Sequence, residues 1–242
     1  MFATESSVTY KQPLSQARGV KLRMRRSILR IPMPERDRLI GSTEWIDLEF
    51  VERERTPHEI IEKGIRYHLA GLSLSNTVTL LEDLGVKRSR TAIHNWVQKA
   101  DLQPADGESP DRVAVDQKSI RVNDKEYWLY AAVDPQTNRI LHSRLFPTYT
   151  IPIAREFLTE LLEKHDVADA VFLVDDADDL KGGLRRENLS YRVEINGFRN
   201  SVERVFREVQ RRISSFSNCF SHVDPPTAET WLQAHAVWWN HA

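Results

Sequence analysis

Apolar residues recur with a helical period over residues 56–101 and with a strand period over residues 112–146. In "TPHEIIEKGIRYHLAG" the residues Ile60, Ile61, Ile65, His68 and Leu69 share one side of a predicted helix. Thr56 is its expected N-cap, with Pro57 at the first helical position and Glu59 at a capping-box spacing. "SLSNTVTLLEDLG" predicts a second helix, capped by Ser73 or Ser75 and stopped by Gly85. "VKRSRTAIHNWVQKAD" predicts a third, capped by Ser89, with Ile93, Trp96 and Val97 turned inward. Helix, short turn with glycine, helix is the order of a helix-turn-helix. Residues 1–40 show neither period: "KLRMRRSILR" is basic and "RIPMPERDR" holds two prolines. They read as an irregular leader or a DNA-contacting arm, with Met33 as a second candidate start.

The pattern changes after "QPADGESPD", a polar linker over residues 103–111. "RVAVDQKSIRV" and "EYWLYAAVD" read as strands joined by a hairpin at "NDK", and "RILHSRLF" as a third strand. "PIAREFLTELLEKHD" is an amphipathic helix and "AVFLV" a buried strand. "YRVEI" is a short strand, "NSVERVFREVQRRISSF" a long helix, and "TAETWLQAHAVWWN" a last helix with Thr227 as its expected cap. Three antiparallel strands followed by a buried parallel-type strand and helices predict a mixed α/β sheet. The expected divisions are a leader at 1–40, a helical module at 41–102, a linker at 103–111 and an α/β core at 112–242.

Composition narrows this picture. At 40% hydrophobic and 9% aromatic residues the 242-residue chain is an ordinary globular one. No apolar run approaches the roughly 20 residues that span a bilayer, so no membrane partner is expected. A single cysteine, Cys219, excludes an internal disulfide and a cysteine-based zinc site, and favours a reducing, cytoplasmic setting. The net charge of −1 conceals an asymmetry. Residues 1–100 hold 17 Lys/Arg against 12 Asp/Glu, whereas residues 101–242 hold 17 against 23. A basic half facing an anion and an acidic half holding cations would produce this division.

Candidate chemistry follows the same division. On the third helix, Arg90, Thr91, His94 and Asn95 could reach base edges in a major groove, with Lys87, Arg88 and Lys99 near phosphates. In the acidic half, Asp116 interrupts a strand, where an unpaired buried charge is costly. Asp175 ends "VFLV", at the rim where open sheets meet ligands. Glu203 lies in the first turn of the long helix, about 80° from the centre of the stripe of Val202, Val205, Phe206, Val209 and Ile213. Singly, each could be a turn residue, a helix cap or a dipole partner. Together they form an oxygen donor set suited to Mg²⁺ or Mn²⁺. Asp176 competes with Asp175, because a strand buried on both faces offers no alternation to choose between them. Asp178 and Asp179 are expected to begin the following helix.

Residues 35–242 resemble the insertion-sequence six family of DDE transposases, through "AVDQKSIRVNDKEYWLYAAVDPQTNRIL", "HDVADAVFLVDDADDL" and "RNSVERVFREVQRRISSFSNCFSHVDPPTAETWLQAHAVWWN". "YHLAGLSLSNTVTLLEDLGVKRSRTAIHNWVQKADLQP" matches that family's N-terminal helix-turn-helix module. The resemblance implies an RNase H-like core whose acidic triad is Asp116, Asp175 and Glu203, separated by 59 and 28 residues. It implies two bound Mg²⁺ or Mn²⁺ ions and a transposase that recognises terminal inverted repeats, cuts 3′ ends and joins them to target DNA. It further implies that Arg204, Arg207, Arg211 and Arg212 hold double-stranded DNA, and that a homodimer or larger assembly works on the nucleoid. The same residues leave open an RNase H-like nuclease without strand transfer, and an inactive or regulatory DNA-binding remnant. Gln117, Asp178 and Asp179 depart from the family's pattern, Gln117 at a position that is often acidic.

Overall fold

The computed structural model describes residues 43–46, 48, 55–194, 197–215 and 220–242. The expected leader, Met33 and Cys219 lie outside the described residues. The core is a five-stranded sheet of β1 (Arg112–Val122), β2 (Lys125–Val133), β3 (Ile140–Phe146), β4 (Val171–Val174) and β5 (Tyr191–Val193), in the order β3-β2-β1-β4-β5. Strands β1, β2 and β3 pair antiparallel, and β4 and β5 add on in parallel. This is the mixed α/β, RNase H-like arrangement expected from the sequence. The β1–β2 hairpin turns on Asn123 and Asp124 alone, both at positive φ (49° and 34°), so Lys125 belongs to the strand rather than to the turn. Asparagine and aspartate tolerate that conformation, and the twist it imposes matches that of the strands.

Two layers of helix cover the sheet. On one face, α4 (Ile151–Lys164) and α5 (Asp178–Arg186) bury Phe157, Leu158, Leu161, Leu180 and Leu184 against Val113, Val115, Tyr130, Phe172 and Val174. On the other, α6 (Asn200–Ser215) and α7 (Pro225–His241) bury Val202, Val205, Phe206, Val209 and Trp238 against Ala114, Ala131, Val133 and Leu173. Helix α7 also closes the free edge of β3. Asn240 accepts from the Ile140 amide (2.8 Å) and donates to its carbonyl (2.9 Å), while Glu229 accepts from the Leu145 amide (3.1 Å). A strand edge satisfied in this way offers no template to another chain. The helix begins earlier than expected: Asp224, not Thr227, is the N-cap and accepts from the Thr227 amide. Pro225 and Pro226 follow in the first turn, where a missing N–H costs nothing.

The N-terminal helices α1 (His58–Leu69), α2 (Leu74–Asp83) and α3 (Arg90–Ala100) share the second apolar core. Ile61, Ile65, Leu69, Ile93, Trp96 and Val97 are buried there with the sheet and α7. Ser73 and Ser89 cap α2 and α3 by accepting from the Asn76 and Ala92 amides. Gly85, at φ 82°, ends α2 while the Val86 amide reaches back to the Leu81 carbonyl. Thr56 does not cap α1. Its hydroxyl accepts from Arg88 Nε at 2.7 Å, which ties the start of α1 to the turn before α3. His68 joins the helices to α7: its Nδ1 meets the Leu72 carbonyl at 2.9 Å and its Nε2 faces Trp231 Nε1 at 3.3 Å. An indole N–H can only donate, so Nε2 accepts and the ring is neutral, with its proton on Nδ1. Burial lowers the pKa of His68 to about 4, in keeping with that state.

Residues 103–111 are fastened along their length. Gly107 donates to the Lys164 carbonyl, Glu108 accepts from the Asp166 amide, and the Glu108 carboxylate pairs with Arg139 at 2.9 Å. Among the described residues no helix is long and apolar enough to cross a membrane.

Candidate active site

The parallel pairing of β1 and β4 sets Arg112 beside Val171, Val113 beside Phe172 and Ala114 beside Leu173. Two steps further along each strand, the same offset brings Asp116 level with Asp175. Neighbouring strands lie about 4.8 Å apart, so two carboxylates at one level on one face are close neighbours. Side chains alternate between the faces. Asp116 continues the face of Ala114, and Asp175 that of Leu173, which is the face that α6 covers. Asp176 is exposed and accepts from Lys181 at 2.6 Å, a lysine that it shares with Asp178.

Glu203 reaches the same place from α6, and one side chain joins the three. Arg199, in the 3₁₀ turn Gly197–Arg199 before α6, puts Nη2 2.7 Å from Asp116 Oδ2 and 3.5 Å from Asp175 Oδ2. Its Nη1 lies 2.9 Å from Glu203 Oε1, one helical turn on. Three carboxylates from a mid-strand, a strand end and a helix therefore converge on one guanidinium. The Arg199 and Asp116 side chains are 9% and 11% exposed, whereas Asp175 and Glu203 are 36% and 40% exposed. Asp116 forms the floor of the cluster and the other two form its open rim. Burial raises the Asp116 pKa to about 6; Arg199 opposes the shift and the Asp175 carboxylate adds to it. Asp116 Oδ1 accepts from the Gln117 amide at 2.8 Å, and Asp175 Oδ1 from the Ala177 amide at 2.9 Å. Each aspartate is thus fixed by its own backbone with one oxygen left for the cluster. Phe198, beside Arg199, lies 4.9 Å from Arg112 in a cation–π contact that anchors the turn to β1.

The positions that depart from the family's pattern have partners of their own. Gln117 and Asp179 meet on the opposite face of the sheet, with Gln117 Nε2 3.5 Å from Asp179 Oδ1. Asp179 also accepts from the Tyr130 hydroxyl at 2.9 Å. An acidic residue at 117 would repel Asp179, and the amide removes that conflict. Asp178 stands in solvent at the start of α5 and pairs with Lys181 at 3.1 Å.

The expected DNA-facing residues are placed unequally. On α3 and the turn before it, Lys87, Arg90, Thr91, Asn95 and Lys99 are exposed, while Arg88 and His94 are half-buried. Arg88 also donates to Thr56 and to the Lys87 carbonyl. On α6, Arg204 and Arg207 are exposed, and Arg204 donates to Asn138 at 3.0 Å. Arg211 is exposed and forks onto Glu208. Arg212 does not suit a DNA-holding role. It is buried, pairs with Glu208 at 2.8 Å, lies 5.3 Å from the Trp238 ring centre and packs so closely on Gly71 that a Cβ there would collide with it. The central residue that sequence reasoning missed is Arg199. Its signal was its place four residues before Glu203, the spacing at which two helical side chains meet.

An oxygen donor set of two aspartates and a glutamate fits a hard divalent cation in kind. Its spacing fits a guanidinium: among the described residues no three His, Cys, Asp or Glu side chains converge tightly enough to hold a metal ion.

No family model matches the chain. The uncharacterized protein MJ0017 of Methanocaldococcus jannaschii is 26% identical over 200 residues, which span 81% of this chain and 92% of that one. Among solved structures, the magnesium complex of the HTLV-2 integrase catalytic core domain aligns with 53% of this chain and 84% of its own, at 10% identity and a TM-score of 0.39. The catalytic core domain of BIV integrase aligns with 52% and 82%, at 14% identity and the same score. These values mark a distant likeness and decide nothing about chemistry.

Proposed function

We propose that the chain is a DNA transposase of an insertion sequence, acting by metal-dependent phosphodiester cleavage and strand transfer. The observation that supports this reading is the meeting of Asp116, Asp175 and Glu203 at one guanidinium on the sheet rim. Carboxylates separated by 59 and 28 residues have no local reason to meet. Asp116, Asp175 and Glu203 would hold two Mg²⁺ or Mn²⁺ ions, which when bound supply activation of the attacking oxygen and charge stabilisation of the leaving one. The floor carboxylate of Asp116, fixed by the Gln117 amide, orients the site, and the open rim at Asp175 and Glu203 admits a phosphodiester.

The exposed residues of the first turns of α3, Arg90, Thr91 and Asn95, would read the element's terminal inverted repeats, with Lys87 and Lys99 on the backbone. Arg204, Arg207 and Arg211 would steady the DNA end beside the carboxylates. Two ends must be joined, so a homodimer or larger assembly on DNA in the cytoplasm is part of the proposal. The division into a helix-turn-helix module and a catalytic core belongs to it as well.

The test uses the purified full chain, Mn²⁺ or Mg²⁺, and a labelled duplex carrying the sequence that flanks its gene. A 3′ cut followed by joining of that end to a plasmid is expected, and neither should occur with Asp116→Asn. Cutting without joining would replace transposase by nuclease. Specific binding with no cutting would leave a DNA-binding remnant. Equal activity of Asp116→Asn and the wild type would end the catalytic assignment.

A further inference from the structure

We infer that Arg199 competes with divalent cations for the carboxylates of Asp116, Asp175 and Glu203, and so sets the concentration at which a cation enters. This rests on the reading of those carboxylates as metal ligands. Arg199 is the positioning residue of the cluster and, through it, the gate to its own site.

Three observations support the inference. First, both terminal nitrogens of Arg199 are engaged with the triad, while its buried Nε has no hydrogen-bond partner among the described residues. Among the described residues, its polar contacts to side chains are those three carboxylates. Second, Asp116 Oδ2 and Asp175 Oδ2 both face Nη2, so the guanidinium takes up oxygens that a cation would need. The nitrogen stands 2.7 and 3.5 Å from these oxygens. Mg²⁺ demands about 2.0–2.1 Å and a near-octahedral shell. One group cannot be in place while the other is. Third, arginine does not deprotonate in proteins, so the positive charge cannot be removed by pH. The side chain must swing out, and the exposed side at Asp175 and Glu203 is the way it can go.

The inference is tested by titrating Mn²⁺ into the full chain in a calorimeter, comparing wild type, Arg199→Gln, Arg199→Lys and the double variant Asp116→Asn with Arg199→Gln. Arg199→Gln should bind Mn²⁺ about tenfold more tightly than wild type or better, a change of about 1.4 kcal/mol. Arg199→Lys, which keeps the charge but not the pair of nitrogens, should fall between them. The double variant should lose the gain. A residue that merely stabilised the fold would lower affinity when removed, not raise it. Wild type that binds Mn²⁺ as tightly as Arg199→Gln, or more tightly, would overturn the competition while leaving the ligand reading intact. No binding by any of the chains would overturn the ligand reading, and the inference with it. If Arg199→Gln does not fold, Arg199→Lys decides: tightening of about threefold supports competition, and unchanged affinity overturns it.

Discussion

Two arginine–glutamate pairs at the same i,i+4 spacing lie at the entry to helix α6 and along it, and they do different work. Arg199 and Glu203 open its N-terminal end, and Glu208 and Arg212 lie about two turns further on. Around Arg199 the described side chains supply three carboxylates to one cation, two of them partly open to water. Around Arg212 the pair is shut in, with Trp238 from α7 on one side and Gly71 from the turn after α1 on another. Gly71 stands at φ 113°, and any larger residue there would meet the guanidinium. The first pair is a cluster with more negative charge than its cation neutralises. The second is a staple between the N-terminal helices and the core. Spacing in the sequence is identical, so charge excess and solvent access are what separate a candidate site from a structural joint.

The contrast is sharpest in activity. Asp116→Asn should lower metal-dependent DNA cleavage by on the order of 10³-fold or more while leaving the thermal midpoint close to wild type. An end-labelled duplex and a melting curve on one preparation measure both, and a lowered midpoint with retained cleavage would reverse the assignment of floor and function.

Arg212→Ala should do the opposite in kind. It removes the buried partner of Glu208, leaving that carboxylate the exposed Arg211, and should cost up to about 3 kcal/mol of stability in denaturant unfolding. A loss below about 0.5 kcal/mol would mean that the joint lies elsewhere.

The joint should also respond to acid. His68 is held neutral in the fold, with its pKa lowered by burial to about 4 against 6.5. A depressed folded pKa means that its full contribution is present above pH 6.5 and is lost as pH falls towards 4, because the unfolded chain takes up the proton first. Protonated Nε2 would face the Trp231 N–H donor to donor. Unfolding at pH 7 and pH 4.5 should differ by up to about 3 kcal/mol from this residue, and His68→Asn should reduce that difference. An unchanged pH slope would count against the neutral ring.

The smallest expected effect is on the surface proposed to face DNA. Lys99→Ala should change stability by less than about 0.5 kcal/mol and reduce the slope of log affinity against log salt by about 1. A slope equal to wild type would remove Lys99 from the DNA contacts.

Much of this was legible in one dimension. The helical and strand periods located all five strands and most of the helices, because burial repeats every 3.6 or every 2 residues whatever the fold. Errors fell where local chemistry had two outlets. Thr56 looked like a cap, but its hydroxyl accepts from Arg88, and Thr227 looked like a cap and yields to Asp224 ahead of two prolines. Among the candidate residues, Asp116, Asp175 and Glu203 were visible as acids in apolar settings. Arg212 had the charge of a DNA contact, and only packing against Trp238 and Gly71 assigns it otherwise.

By itself the sequence determined the elements, the mixed α/β class and a short set of acids, since all of these follow from residue type and local spacing. It could not choose between Asp175 and Asp176, because "VFLV" is apolar on both sides. The parallel pairing with β1 makes that choice by putting Asp175 level with Asp116 on the face that α6 covers. Nor could it single out Arg199, whose significance lies in contacts to residues 83 and 24 positions away. Charge acts through space and is indifferent to chain order, so which cation answers which carboxylate is decided only when the strands and helix are brought together.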